Sequence, residues 1–363
     1  MSAFFAILYP LSFLVVLSLV VIVHEFGHFW AARLCGVKVE EFSLGFGRVL
    51  WSRQDKKGTT WKVCQIPMGG YVKMFGDADA SSAKADETAK EFTEEEKKVS
   101  FPHQSLLKKA FISVAGPAMN YIFAIVLLTV FLSIFGIIVV PPVISEVSKG
   151  SAAEIAGLQK DDRFVMINGN PIHEFSDVQR FVQLDSTLEI MVLRNGEKVP
   201  LTAHLTSETG GAILGVQAVM TREYFKTVSV PEAFVESVKE AWKITSDTLV
   251  ILKRIVMRQR SADDMRGPLG IAEASGDAAR GGAVSFVLFI IQVSIGIGLV
   301  NLLPIPILDG GHLLFYAIEA VIRRPINEKA QNMALNIGLA LLLCLLIVTS
   351  WNDIVRIFVR LFR

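Results

Sequence analysis

A multi-span α-helical membrane protein, with four transmembrane helices, a β-hairpin and one inserted β-rich domain, is the fold class this chain predicts. Three observations carry that prediction. Hydrophobic residues fill 52% of the 363 positions and the mean hydropathy is +0.47, while 20% charged residues leave room for a water-facing part. Four apolar segments recur: Ala3 to about Leu34, Ala110 to Val140, Val284 to about Leu308, and Ala334 to about Trp351. Each is close to or above the ~20 residues that cross a bilayer as a helix. Between the second and third segments the pattern changes to short β-type runs punctuated by Asn-Gly turns. A net charge of +1 gives no sign of nucleic-acid binding. Cys35, Cys64 and Cys344 are scattered and suggest neither a disulfide framework nor a cysteine metal site.

Residues 1–34 read as the first transmembrane helix and not as a cleavable signal peptide, since no basic region precedes the apolar run. The segment 35–109 follows as a cytoplasmic, membrane-dipping β-hairpin region with a charged linker. Within it "WKVCQIPMGGYVKMFG" alternates apolar and polar residues, Gly69-Gly70 allows close backbone approach, and Gly45-Phe46-Gly47 belongs to the same sheet. "DADASSAKADETAKEFTEEEKK" is a solvated mixed-charge linker.

The second transmembrane helix takes 110–140, and 141–220 form the β-rich domain. Its order is strand, "GSAAEIAGLQKDD", "INGNPI", helix, strand, and a hairpin on Asn195-Gly196. That order resembles a bacterial PDZ domain, which binds extended chain ends by strand addition. Val139-Val140-Pro141-Pro142 stand where such domains carry a Gly-rich carboxylate loop. An ordinary small β-rich domain is the alternative reading. Residues 221–283 are an amphipathic helical region that includes "RGPLGIAEASG". The third transmembrane helix spans 284–322, and 323–363 hold the fourth helix with an amphipathic, Arg-rich tail.

Arg33, Lys38, Lys108, Lys109, Arg323, Arg324 and Lys329 flank one side of the spans, and the uncharged start of the chain lies on the other. The positive-inside rule then puts both termini outside. Arg356, Arg360 and Arg363 run against this orientation, and an interfacial helix with the spacing Ile354, Ile357, Phe358, Leu361 accommodates them.

The chemistry starts at His24-Glu25-Phe26-Gly27-His28, at the end of the first apolar run. Ionisable side chains within a span cost a few kcal/mol each and are rare unless they work. Residues i and i+4 share a helix face, so His24 and His28 can offer two imidazole nitrogens to one ion. Glu25 follows the first of them, where a general base beside a metal site would stand. A third donor is needed. The extended HExxHxxGxxH pattern fails at Ala31 and Leu34. The better source is Asn301-Leu-Leu-Pro-Ile-Pro-Ile-Leu-Asp309-Gly-Gly-His312, which ends the third apolar run. The first and third helices run in the same direction, so both motifs arrive at similar depth. Pro304 and Pro306 break the helix there, which is tolerated only in a buried or watery place. His312 is a chemically adequate rival to Asp309.

HEFGH with NLLPIPILDGGH, and a PDZ-like insert between the second and third spans, resembles the site-2 protease family of intramembrane metalloproteases, most closely its bacterial regulators of sigma-E. The likeness covers essentially the whole chain. It implies a Zn2+ enzyme of the bacterial inner membrane with His24, His28 and Asp309 as ligands and Glu25 as acid/base. It implies that Asn301 holds the unwound substrate or stabilises an oxyanion, and that Gly69, Gly70, Tyr71 and Val72 align the substrate as an added strand. Helix capping is the other reading of Asn301, and merely sealing the cytoplasmic side is the other reading of the hairpin. "AGPAMNYIFA" around Asn120 matches a family signature on the second helix, where a buried packing or hydrogen-bonding role is expected rather than a catalytic one. The implied partners are the lipid bilayer, transmembrane substrates such as a pre-trimmed anti-sigma factor, remnant signal peptides, and a peptide at the PDZ-like domain, in a sigma-E type stress response. Enterobacterial members carry two PDZ domains in tandem, and this chain has room for one. Another membrane-embedded HExxH peptidase, or a zinc transporter with a PDZ-like sensor, are the alternatives.

Overall fold

Helix α1 (Ala3–Leu34) is apolar from end to end and, at 1.5 Å per residue, reaches ~48 Å, longer than a bilayer's ~30 Å hydrocarbon core. It opens a computed structural model that describes residues 3–77, 92–185, 187–205, 207–208, 211–212, 214–218, 225–257 and 266–361. Most of the charged linker lies outside these residues. Four helices among them are long and apolar enough to cross a membrane: Ile7–Leu34, Leu106–Phe135, Ala283–Asn301 and Lys329–Val359. The protein is a membrane protein. The chain divides into two units, residues 1–127 with 265–363, and residues 128–264.

In the first unit, α1 leads into β1 (Val39–Gln54), which returns antiparallel as β2 (Thr60–Met74). Asp55, at the turn, accepts from the backbone of Lys57 and Thr59 at 2.8 and 3.1 Å and from Trp61 Nε1 at 3.2 Å, and it pairs with Arg33 at the end of α1. Burial pushes the Asp55 carboxyl up, but these donors outweigh it and hold its pKa down to about 2. Phe29, Phe42 and Trp61 stack with ring centroids 4.7 to 5.4 Å apart and join Val37, Val39, Val72 and Met74 in a buried core that fastens the hairpin to α1. A short α2 (Glu94–Val99), capped by Thr93, precedes α3 (Leu106–Phe135).

The second transmembrane helix was expected to run to Val140. It stops at Phe135 because Gly136 takes a positive φ of 78°, and Ile137–Ile138 leave as strand β3.

The second unit holds β4 (Glu146–Val147), α4 (Ala152–Ile155), β5 (Arg163–Ile167), β6 (Asn170–Pro171), α5 (Phe175–Leu184), β7 (Thr187–Arg194) and β8 (Glu197–His204). Strand pairs β9 (Ser207–Glu208) with β10 (Gly211–Ala212), β11 (Val216–Gln217) with β4, and β12 (Phe225–Lys226) with β3 complete it, before α6 (Val230–Val256). The main sheet has the order β6-β5-β7-β8. Both Asn-Gly turns behave as their sequence predicts. Asn168-Gly169 and Asn195-Gly196 all have positive φ and close two-residue hairpins. Phe164, Ile167, Val178, Leu188, Ile190 and Val192 fill the core, and Arg180–Asp247 and Arg254–Asp185 tie α5 to α6.

The first unit resumes with α7 (Pro268–Arg280), α8 (Ala283–Asn301), α9 (Asp309–Ile322) and α10 (Glu328–Leu361). Three expectations change here. Residues 284–322 are two helices, because Pro304 and Pro306 cannot continue α8 and the chain restarts at Asp309. Residues 221–283 are not one region: α6 belongs to the second unit and α7 to the first. The C-terminal tail is not a separate helix but the last turns of α10, held by buried Asp353, which accepts from the Gly270 N–H at 2.7 Å and so caps α7.

Candidate metal centre

His24 and His28 lie one turn apart on α1, about 14 and about 8 Å along the helix from its basic end at Arg33 by the 1.5 Å rise. Opposite them Asp309 is the first residue of α9, where the helix N-terminus favours a negative charge. The turn that delivers it has no space for side chains. A Cβ on Gly310 would meet the Leu302 and Leu303 carbonyls at 2.3 Å, and one on Gly311 would meet the Ile305 carbonyl at 2.2 Å. The two glycines let α9 start tight under the Pro-rich loop.

The donor atoms form a near-regular triangle. His24 Nε2 is 3.1 Å from His28 Nε2 and 3.1 Å from Asp309 Oδ2, and His28 Nε2 is 3.4 Å from Asp309 Oδ1. Among the described residues this is the group of three His, Cys, Asp or Glu side chains whose donor atoms could hold one ion. Tetrahedral ligands ~2.0–2.1 Å from zinc stand ~3.3 Å apart, so the triangle fits the face of a zinc tetrahedron with the fourth corner open. The support behind the donors also fits. His28 Nδ1 is 2.9 Å from the Ile112 carbonyl, an acceptor only, so the proton sits on Nδ1 and the Nε2 lone pair faces the cluster. Helix α3 lies very close: a Cβ on Gly116 would be 2.3 Å from His28 Nε2 and 2.9 Å from His24 Nε2.

His24, Glu25, His28, Asn301, Asp309 and Val72 line one cavity of about 190 Å³. The structure therefore brings together every anticipated metal and acid/base residue, with Asn301 and the end of β2. His312, the rival donor, lines the same cavity but lies outside the three-atom cluster, its ring stacked on Tyr316 at 6.4 Å. Of the anticipated strand residues, Gly70 comes near Glu25, since a Cβ there would lie 3.7 Å from Glu25 Cγ. Val72 lines the same cavity as Glu25. Tyr71 instead donates to Glu41 at 2.9 Å, and Gly69 packs under Phe46. The Asn120 side chain, 3.4 Å from His24 Nδ1, and Gly116 are site residues that helix periodicity does not single out.

One buried and one half-buried imidazole with a half-buried carboxylate, converging between apolar helices, are the donor set of a membrane-embedded metalloenzyme. The profile of Peptidase family M50 matches residues 12–345. Relatives include proteins named "Putative zinc metalloprotease" in Mesorhizobium japonicum, 40% identical over 94% of this chain and 97% of the relative, and in Agrobacterium fabrum, 38% identical over 95% of each chain. The metalloprotease MmpA of Caulobacter vibrioides is 36% identical over 95% of each chain. The chain belongs to peptidase family M50, the site-2 protease family, and is a zinc-dependent membrane metalloprotease.

Proposed function

We propose that this protein is an intramembrane endopeptidase that cuts the membrane-spanning segment of single-span proteins, of the kind an anti-sigma factor presents once its outer part is trimmed, and also remnant signal peptides. The observation that carries the proposal is the His24–His28–Asp309 triangle beside Glu25 and the end of β2, all at the depth of apolar helices.

His24, His28 and Asp309 would hold the ion, and zinc bound there would supply the Lewis acidity that eases loss of a proton from water. Glu25 accepts the attacking water's proton and returns it to the leaving amine. A peptide bond inside a helix is shielded, so the substrate must unwind first. Gly70 to Val72 offer it a strand edge, and Asn301 steadies the opened backbone. The 141–220 domain is PDZ-like and takes an extended chain end. The basic flanks of the spans support an inner-membrane enzyme with both termini periplasmic.

Purified full-length enzyme, a single-span reporter and zinc analysis test these roles. Glu25→Gln should lower cleavage by on the order of 10²–10⁴-fold and keep zinc, because Glu25 is no ligand. His24→Ala, His28→Ala and Asp309→Ala should lose zinc and activity together, and His312→Ala should keep zinc. Full proteolysis in Glu25→Gln sinks the acid/base role. Zinc lost with His312 but kept without Asp309 reverses the ligand assignment.

A further inference from the structure

We infer that Asn120 is a positioning residue for the metal centre: its side-chain oxygen accepts the His24 Nδ1–H and so presents the His24 Nε2 lone pair to the ion. The inference rests on the ligand assignment proposed above and adds a residue to it.

Asn120 is wholly buried on α3, one turn beyond Gly116. Its amide nitrogen lies 3.4 Å from His24 Nδ1, while its Oδ1 is one of two buried side-chain atoms without a hydrogen-bond partner among the described residues. Those two facts have one resolution. With the amide nitrogen donating to Nδ1, the His24 proton must sit on Nε2, which faces His28 and Asp309 and would then have no lone pair for a metal. The oxygen and nitrogen of an amide have the same shape, so a half-turn of the group costs no space. After it, Oδ1 gains a donor, Nδ1–H gains an acceptor, and Nε2 is free to bind. His28 already has this arrangement through the Ile112 carbonyl. Metal-ligating histidines commonly need such a partner to fix tautomer and ring plane.

The placement of Asn120 is secured from the other side. Ser294 on α8, also buried, donates from Oγ to the Asn120 carbonyl at 2.9 Å. A Cβ on Gly298 would come within 3.1 Å of the Pro117 carbonyl, so α8 presses α3 close at this level. The amide therefore has little freedom except rotation about its own bond.

A side chain that only packs helices predicts a different order of variants from one that accepts a proton from His24. Asn120→Leu keeps the volume and removes the acceptor. Asn120→Asp keeps the acceptor and adds a buried charge. Zinc affinity of the full-length protein, measured by competition with a chromogenic chelator, reads the difference without substrate. The expected result is a 10–100-fold weaker affinity in Asn120→Leu and an affinity within about threefold of the parent in Asn120→Asp, with cleavage following the same order. Equal zinc affinity in Asn120→Leu and the parent overturns the inference, as does a weaker affinity in Asn120→Asp than in Asn120→Leu. If Asn120→Leu fails to fold, Asn120→Asp decides alone: tight zinc supports the role and a loss above tenfold overturns it. His24→Ala, run in parallel, separates the two levels. If it loses zinc while Asn120→Leu keeps it, only the Asn120 inference fails. If it keeps zinc, the ligand assignment fails and the Asn120 role falls with it.

Discussion

Gly116 sets the tolerance of the metal centre at the scale of one residue. A methyl group there would overlap His28 Nε2 at 2.3 Å and crowd His24 Nε2 at 2.9 Å. Gly116→Ala should raise local helix propensity by about 1 kcal/mol and still empty the site. Zinc content of the purified variant should fall well below one per chain, with cleavage lost in parallel. Gly296 on α8 is the control, because a Cβ there meets nothing within 4 Å, and Gly296→Ala should keep full zinc. A zinc-replete Gly116→Ala would mean that α3 stands further from α1 than the structure has it. The three clustered side chains were legible in sequence, His24 and His28 by their i, i+4 spacing and the segment of Asp309 by its depth, while the choice of Asp309 over His312 came only with the family resemblance. Gly116 was not legible in its role, and Asn120 only as a buried packing or hydrogen-bonding residue with no partner named. Their importance comes from the helix they face across the crossing, and a sequence period reports only which side of its own helix a residue occupies.

The hairpin shows the same division at the scale of an element. Its second strand was visible as alternation. The full 16 residues of β1 were not, because Glu40, Glu41 and the run Gly45-Phe46-Gly47 interrupt the pattern. The register of β1 explains the interruption. Phe42 stands beside Val72 on one side and Trp61 on the other, so the first half of β1 is flanked on both edges, and Gly45 lies against the Ile66 carbonyl where no side chain fits. The end of β2, by contrast, pairs only with β1 among the described residues, and its Val72 lines the cavity with Glu25. Proline at Val72 would also change the cavity wall that Val72 shares with Glu25 and so could not isolate strand addition. Disulfide trapping can. In a Glu25→Gln enzyme with Cys35, Cys64 and Cys344 replaced, a cysteine at Tyr71 should trap cysteines of the substrate span at every second position, the period of a strand. Trapping at every third or fourth position would mean that the substrate stays helical at β2, and strand addition would be wrong.

For the whole molecule, four apolar helices were recognisable from composition, but the second was drawn five residues too long, past Gly136, and the third was carried to 322, across the Pro304 break that ends it at Asn301. The place of α7 was unreadable, since it depends on contacts far apart in sequence: Gly276 admits the Tyr9 ring, Tyr9 donates to Asp277 at 2.7 Å, and Asp353 caps the helix start. On the proposed function the substrate is a membrane-spanning helix, which offers no exposed peptide bond until it opens. Unwinding is then part of the barrier, and helix propensity in the substrate should appear in the rate. Replacing Leu by Gly at the centre of a substrate span relieves ~1 kcal/mol and Pro ~3 kcal/mol. At 1.36 kcal/mol per tenfold, the ceilings are about fivefold and about a hundredfold. A panel of single-span substrates that differ only at the membrane centre, measured for cleavage by zinc-loaded enzyme in liposomes, should rank Pro above Gly above Leu. Equal rates across the panel would mean that unwinding is complete before the slow step, and that entry or product release limits the enzyme instead.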